Sequence, residues 1–275
     1  MQVAYLGPRG SFTHQVVKQA FPQAILLAFE TITDVMKAYE REEVSYSVIP
    51  VENSIEGSVH ETIDYLFHKA EMHAVAEIVQ PIAQQLLAVK DQNTIEVIYS
   101  HPQAIAQSKT FIQKYFPQAR LEITASTAYA ARFVAENPDN PFAAIAPHAA
   151  SLEYGLKVIA QDIQEVSENF TRFWVLGHTV PDIALPKVCK KVSLALTLPN
   201  NQPGSLYKAM SVFSWRGINL TKIESRPLKT VLGEYFFIVD IDNQSEDLLS
   251  YSLKELNSLG ISYKILGNYQ VYVTS

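Results

Sequence analysis

Residues 169–177, NFTRFWVLG, set a hydroxyl, Thr171, and a guanidinium, Arg172, just ahead of the apolar run FWVLG. A strand would carry both to its mouth. Arg172 there suits bidentate capture of an anion, with a plain surface charge as the competing explanation. In PVENSIEGSV, residues 50–59, Glu52, Asn53, Ser54, Gly57 and Ser58 crowd into one turn behind the buried run VIPV. Open α/β sheets put ligand contacts at such strand ends. Turn chemistry accounts for Asn53, Ser54 and Gly57, but not for Glu52.

GPRGSFTH, residues 7–14, places Ser11 and Thr13 at or near a helix N-cap. A helix start offers free N–H groups and partial positive charge to a carboxylate or phosphate, although capping alone also explains the residues. The turn lacks the GK[ST] of a P-loop and the three glycines of a dinucleotide turn. SHPQAIAQ, residues 100–107, and TASTAYAA, residues 124–131, repeat the arrangement. They supply Ser100, Gln103 and Gln107, then Ser126 and Thr127. The i, i+4 spacing puts both glutamines on one helical face, and capping again accounts for Ser126 and Thr127. His101 has no visible partner and reads as a cap or loop hydrogen bonder.

The elements that must hold these residues alternate. Short apolar runs (VAYL, AILLAF, YSVIPV, QQLLAV, TIEVIYS, ARLEIT, FAAIAP) are separated by helical patterns over about 12–20, 32–41, 102–115 and 127–136. Such alternation predicts α/β layers with buried strands, here as two lobes around a cleft. The proline-bearing stretch PDIALPK, residues 181–187, marks a boundary. Beyond it the order becomes βαββαβ, with Gly217 and Gly260 at the two helix ends. That order is ferredoxin-like and predicts helices on one sheet face, leaving the other open to a partner chain.

Composition narrows the function. A chain of 275 residues with 48% hydrophobic residues buries a sizeable core. A net charge of −6 without Lys/Arg clusters argues against nucleic-acid or anionic-membrane binding. The one cysteine, Cys189, forms no intrachain disulfide and is expected to be a small buried hydrophobe. The opening MQVAYLGPRG carries no charged leader with an apolar core, so a cytoplasmic location is expected.

The motifs GPRGSFTH, IPVENSIEGSV, SHPQAIAQ, STAYAA and NFTRF, with GSLYKAMSVF and INLTKIESRP behind them, resemble the prephenate dehydratase family nearly end to end. The resemblance implies a catalytic domain over 1–180, similar in plan to type 2 periplasmic-binding proteins. Its lobes would be 1–77 with 158–180, and 78–157, followed by an α+β ACT regulatory domain over 188–275. It implies catalytic roles for Thr171, Glu52, Asn53, Ser100 and Gln107, and substrate contacts from Ser11, Thr13, Ser54, Ser126, Thr127, Arg172 and Phe173. A phenylalanine site would include Gly204, Ser205, Leu206, Asn219, Glu224, Ser225, Arg226 and Pro227. Two departures stand out: many relatives carry His where this chain has Gln84 or Gln85, and Cys where it has Ser108, so none of these is assigned a role.

The implied reaction removes carbon dioxide and water from prephenate to give phenylpyruvate, without metal, flavin or pyridoxal cofactor. L-phenylalanine would inhibit it, and homodimers or homotetramers would form through ACT domains. Glu52 is a candidate proton donor, since a dianionic substrate raises a neighbouring carboxyl pKa. Thr171 is a positioned hydrogen-bond donor rather than a formal acid. Arogenate dehydratase and a catalytically inactive amino-acid sensor are the competing readings; a solute-binding transport component is disfavoured by the missing leader.

Overall fold

The computed structural model describes residues 1–90, 94–199, 203–229 and 234–274. The chain opens with β1 (Gln2–Leu6), α1 (Phe12–Ala20), β2 (Ile25–Phe29), α2 (Ile32–Glu40), β3 (Tyr46–Asn53), the two-residue β4 (Gly57–Ser58), α3 (His60–His68) and β5 (His73–Pro81). A second lobe follows: β6 (Gln85–Ala88), β7 (Val97–Ser100), α4 (Pro102–Gln107), α5 (Lys109–Tyr115), β8 (Arg120–Ile123), α6 (Thr127–Glu136), β9 (Phe142–Ala146), α7 (His148–Tyr154) and β10 (Lys157–Ala160). Then β11 (Phe170–Gly177) returns to the first lobe. The C-terminal part is β12 (Lys187–Thr197), α8 (Ser205–Ser214), β13 (Leu220–Pro227), β14 (Tyr235–Asp242), α9 (Glu246–Ser258) and β15 (Ser262–Val273).

Local chemistry starts α1, α2, α6 and α9. Ser11, Thr31, Ser126 and Ser245 each accept the N–H three residues on, satisfying one of the donors a helix start leaves unpaired. At Gly217 and Gly260 the backbone is left-handed, as a helix end needs. The helical pattern over 102–115 is broken at Ser108. There the Gln107 carbonyl accepts from the Glu165 N–H at 2.7 Å, and the Glu165 carboxylate accepts from Thr110 N at 2.8 Å. A distant segment thus interrupts the hydrogen-bond ladder and caps the second half.

Two sheets result. The smaller runs β10-β6-β9-β7-β8, and the larger β13-β14-β12-β15-β5-β11-β3-β1-β2, with β4 on β3. The lobe crossings fall later than the expected 77/78 and 157/158. Strand β5 stays in the first sheet through Pro81, opposite Phe170, while all of β10 pairs with β6 in the second.

The C-terminal sheet continues the first lobe's sheet, because β15 lies parallel to β5. One of its faces carries α8 and α9 over Val192, Leu194, Leu196, Val239 and Ile241. The expectation that the other face stands open to a partner is corrected. Leu66, Ala70 and Met72, in and after α3, share one core with Ala195, Ile238 and Leu266, and Phe67 stacks on Phe236 with ring centroids 3.8 Å apart. The apolar side of α3 gains this cover in the same chain, so no second copy is needed to bury it. Cys189 is likewise exposed rather than buried. Among the described residues, no helix is long and apolar enough to cross a membrane.

Candidate active site

A cleft of about 400 Å³ lies between the lobes. Its first wall comes from the β1–α1 turn and from the end of β3 with the turn after it. The second comes from the starts of α4 and α6, and Asn169, Thr171 and Phe173 form part of the lining. Close packing holds the lobes together behind it. Gly10 has φ +78°, and a Cβ there would stand 2.9 Å from the Tyr154 ring and 3.2 Å from Ala150 Cα, so the β1–α1 turn requires glycine where it meets α7.

Strands β3 and β11 run antiparallel, with Asn53 opposite Thr171 and Glu52 opposite Arg172. Successive side chains on a strand point to opposite faces. Asn53, Thr171 and Phe173 therefore line the cleft, while Glu52 and Arg172 do not. Asn53 Nδ2 donates to Thr171 Oγ1 at 2.9 Å, to Asn169 Oδ1 at 2.8 Å and to the Phe170 carbonyl at 3.2 Å. Its Oδ1 accepts from Ile55 N and Glu56 N, an Asx turn that sets the amide's orientation. Thr171 Oγ1 is thereby an acceptor toward Asn53, which leaves its proton for a group in the cleft.

The chain of bonds reaches the second lobe. Asn169 Nδ2 donates to Gln107 Oε1 at 3.4 Å, and Gln107 Nε2 is buried with no partner among the described residues. An unpaired buried donor in a cleft wall is a place for a ligand acceptor. Gln84, 4% exposed, also lines the cleft, and its Oε1 likewise lacks a partner.

Ser11, Thr13, Ser126 and Thr127 line the cleft at the N-termini of α1 and α6. The caps occupy the third N–H of each helix, leaving those of Phe12 and Thr13, and of Thr127 and Ala128, without intrahelical partners. No lysine or arginine lines this cleft among the described residues; Glu56 and His101 are its ionisable side chains. His101 Nδ1 accepts from Gln103 N at 3.4 Å as the cap of α4.

Four expected site residues lie elsewhere. Ser100 is fully buried behind the wall and donates to the Ile145 carbonyl at 2.6 Å, tying β7 to β9. Ser54 Oγ accepts from Phe170 N at 2.9 Å and serves the turn rather than the cleft. Arg172 is not an anion clamp at the cleft. It points to the opposite face and pairs with Glu52 at 2.6 Å, Glu77 at 2.6 Å and Asp240 at 2.8 Å. Burial disfavours its charge, but Asp240 and Glu77 outweigh that and hold it protonated. Glu52 also pairs with Lys222 at 2.9 Å. Burial raises its pKa, yet the bonds and charges of Lys222 and Arg172 win and keep the carboxyl below its ordinary value. Glu52 is thus ionised outside the cleft, and the expectation that it donates a proton is withdrawn.

Among the described residues, those named for phenylalanine lie at separate places. Gly204, with φ +82°, precedes Ser205 and Leu206 at the start of α8. Asn219 donates to Asp242 at 2.8 Å beside a small cavity of about 40 Å³. Glu224 and Arg226 face the first lobe: Arg226 donates to both oxygens of Asp64 at 3.0 Å, while Ser225 and Pro227 are exposed.

A two-lobed α/β cleft of the type 2 periplasmic-binding plan, walled by hydroxyls, amides and helix N-termini and followed by a ferredoxin-like domain, defines a cleft enzyme with an appended α+β module. The sequence profile of prephenate dehydratase matches residues 3–180. Prephenate dehydratase from Lactococcus lactis subsp. cremoris is 51% identical over 99% of this chain and 98% of its own. The X-ray structure of the Streptococcus mutans enzyme is 44% identical over the whole of both chains, with a TM-score of 0.65. That of the Arthrobacter aurescens enzyme in complex with L-Phe is 29% identical over 98% of this chain and 90% of that one, with a TM-score of 0.85. The chain belongs to the prephenate dehydratase family and is an enzyme of the lyase class.

Proposed function

We propose that the cleft converts prephenate to phenylpyruvate, carbon dioxide and water. The ring carboxylate leaves as carbon dioxide, and the electron pair of its C–C bond enters the ring. The ring hydroxyl departs from the far carbon and takes up one proton to become water. Aromatisation drives the step, so the protein's task is to bind a dianion, orient it and stabilise the departing oxygen.

The observation that carries this reading is the Thr171 hydroxyl. It accepts from Asn53 and is free to donate toward the cleft, the side that this reading assigns to the departing oxygen. A hydroxyl that accepts one bond becomes a better donor for the next. The carboxylates are met by the N-termini of α1 and α6 and by Gln107 Nε2, with no lysine or arginine among the described residues of the wall. The C-terminal domain holds L-phenylalanine as feedback inhibitor, with Gly204, Ser205, Leu206, Asn219, Glu224, Ser225, Arg226 and Pro227 as its region and a second copy of the chain completing the assembly. An inhibitor must bind the less active arrangement more tightly.

The test is phenylpyruvate formation by purified protein, with arogenate as control substrate and with phenylalanine added. Prephenate turnover suppressed by phenylalanine supports both parts. Turnover of arogenate alone, or phenylalanine binding without turnover of either, replaces the reading with arogenate dehydratase or with an inactive sensor.

A further inference from the structure

The turn that orients Thr171 is pinned at both ends by one side chain of the other domain. Glu52 and Ser58 face each other in the β3–β4 pairing, and the turn between them supplies Asn53, Glu56 and Gly57 to the cleft wall, with Ser58 beside them. Lys222 Nζ, on β13, pairs with Glu52 Oε1 at 2.9 Å and donates to Ser58 Oγ at 2.5 Å. Ser58 Oγ in turn donates to Glu224 Oε2 at 2.5 Å, and Glu224 lies 3.4 Å from the same ammonium. Lys222 and Glu224 are two apart on one strand and so share a face.

The Lys222 side chain is only 12% exposed, so this ammonium exchanges water for three protein acceptors. Three donors on a compact cation match three acceptors, a geometry that a planar guanidinium reproduces poorly. Both ends of the turn answer to β13, while Asn53 inside it sets Thr171.

We propose that Lys222 is a positioning residue for the reaction: it closes the 52–58 turn so that Asn53 presents the Thr171 hydroxyl to the cleft. The C-terminal domain then takes part in basal catalysis as well as in regulation. Glu224 belongs both to this clasp and to the region proposed for phenylalanine, so a ligand that engages Glu224 draws on the same ammonium. The inference rests on the cleft being the reaction site, but its structural half is measurable without turnover.

Lys222→Met is expected to lower kcat with prephenate about tenfold with a smaller change in KM, the mark of an interaction that serves the transition state. In an Asn53→Ala background, the same substitution should cost less than about twofold more, because Lys222 acts through Asn53. The amides of Ile55 and Glu56, held by Asn53 Oδ1, should exchange hydrogen at least about tenfold faster in Lys222→Met full-length protein. Unchanged exchange overturns the inference whether or not prephenate is turned over. An unchanged kcat, or a full multiplicative loss in the Asn53→Ala background, overturns it as well. Lys222→Gln, with the same measurements, replaces Met if that variant does not fold cooperatively.

Discussion

Asn53 and Thr171 sit opposite each other on antiparallel strands, and the asparagine amide donates to the threonine hydroxyl at 2.9 Å. The amide cannot turn over without losing bonds at both of its ends, because its oxygen accepts two backbone N–H groups of the following turn. The hydroxyl proton is therefore directed by the fold rather than by the ligand.

Replacing Asn53 with Asp keeps the turn acceptor but removes the donor and sets a negative charge beside Thr171. Steady-state assays should show kcat lowered about 10²-fold, comparable with losing one preorganised donor. A kcat within about twofold of wild type would mean that the orientation of Thr171 is immaterial.

Gln107→Leu removes the unpaired Nε2 donor and also strands Asn169 Nδ2. A loss of one to two powers of ten in kcat/KM is expected, at about 1.4 kcal/mol for each tenfold. Gln107→Glu should be worse, since it sets a carboxylate against a dianion. Equal kcat/KM for the two variants would argue that the amide does not meet the substrate.

Arg172→Met should damage the fold more than it alters recognition of substrate. It leaves Glu52, Glu77 and Asp240 without the shared cation, and breaking a buried pair costs about 3–5 kcal/mol. Thermal unfolding should show a marked drop in Tm. A normal Tm with a raised KM would restore the substrate-clamp role.

Acid should loosen the junction between the domains. Glu52 has its folded pKa lowered from 4.5 by Lys222 and Arg172 against burial, and Asp64 has its own lowered from 3.8 by Lys229 and Arg226, again against burial. A depressed carboxyl contributes stability that is complete above its unfolded pKa and is lost as pH falls through the folded value. Unfolding free energy measured against pH should thus decline below about 4.5. Glu52→Gln should flatten that decline; an identical acid limb in the variant would contradict the assignment.

Helices with a side-chain cap and a clear apolar period were readable to the residue: α1 begins after Ser11 and α6 after Ser126. The break at Ser108 was not, because it is imposed by Glu165 from a distant segment. In the cleft, the alternation of a strand was a usable signal. It sends Asn53, Thr171 and Phe173 one way and Glu52 and Arg172 the other, and it puts Asn169 on the side of Thr171. Residue type without that period points to Arg172 and gives no signal for Asn169. Gln84 has no expected role because it departs from the His of many relatives, and nothing local in the sequence marks its acceptor as unpaired. The clasp of Lys222 on Glu52 and Ser58 joins residues more than 160 positions apart, and no spacing rule reaches it.

The most direct measurement is kcat for prephenate with Thr171→Ser and Thr171→Val, checked side by side for intact folding. The account predicts that Ser stays within about tenfold of wild type while Val falls by about 10²- to 10³-fold, the loss of one preorganised donor. A Val variant as active as the Ser variant would contradict it, since the hydroxyl would then have no part in the departure of the ring oxygen.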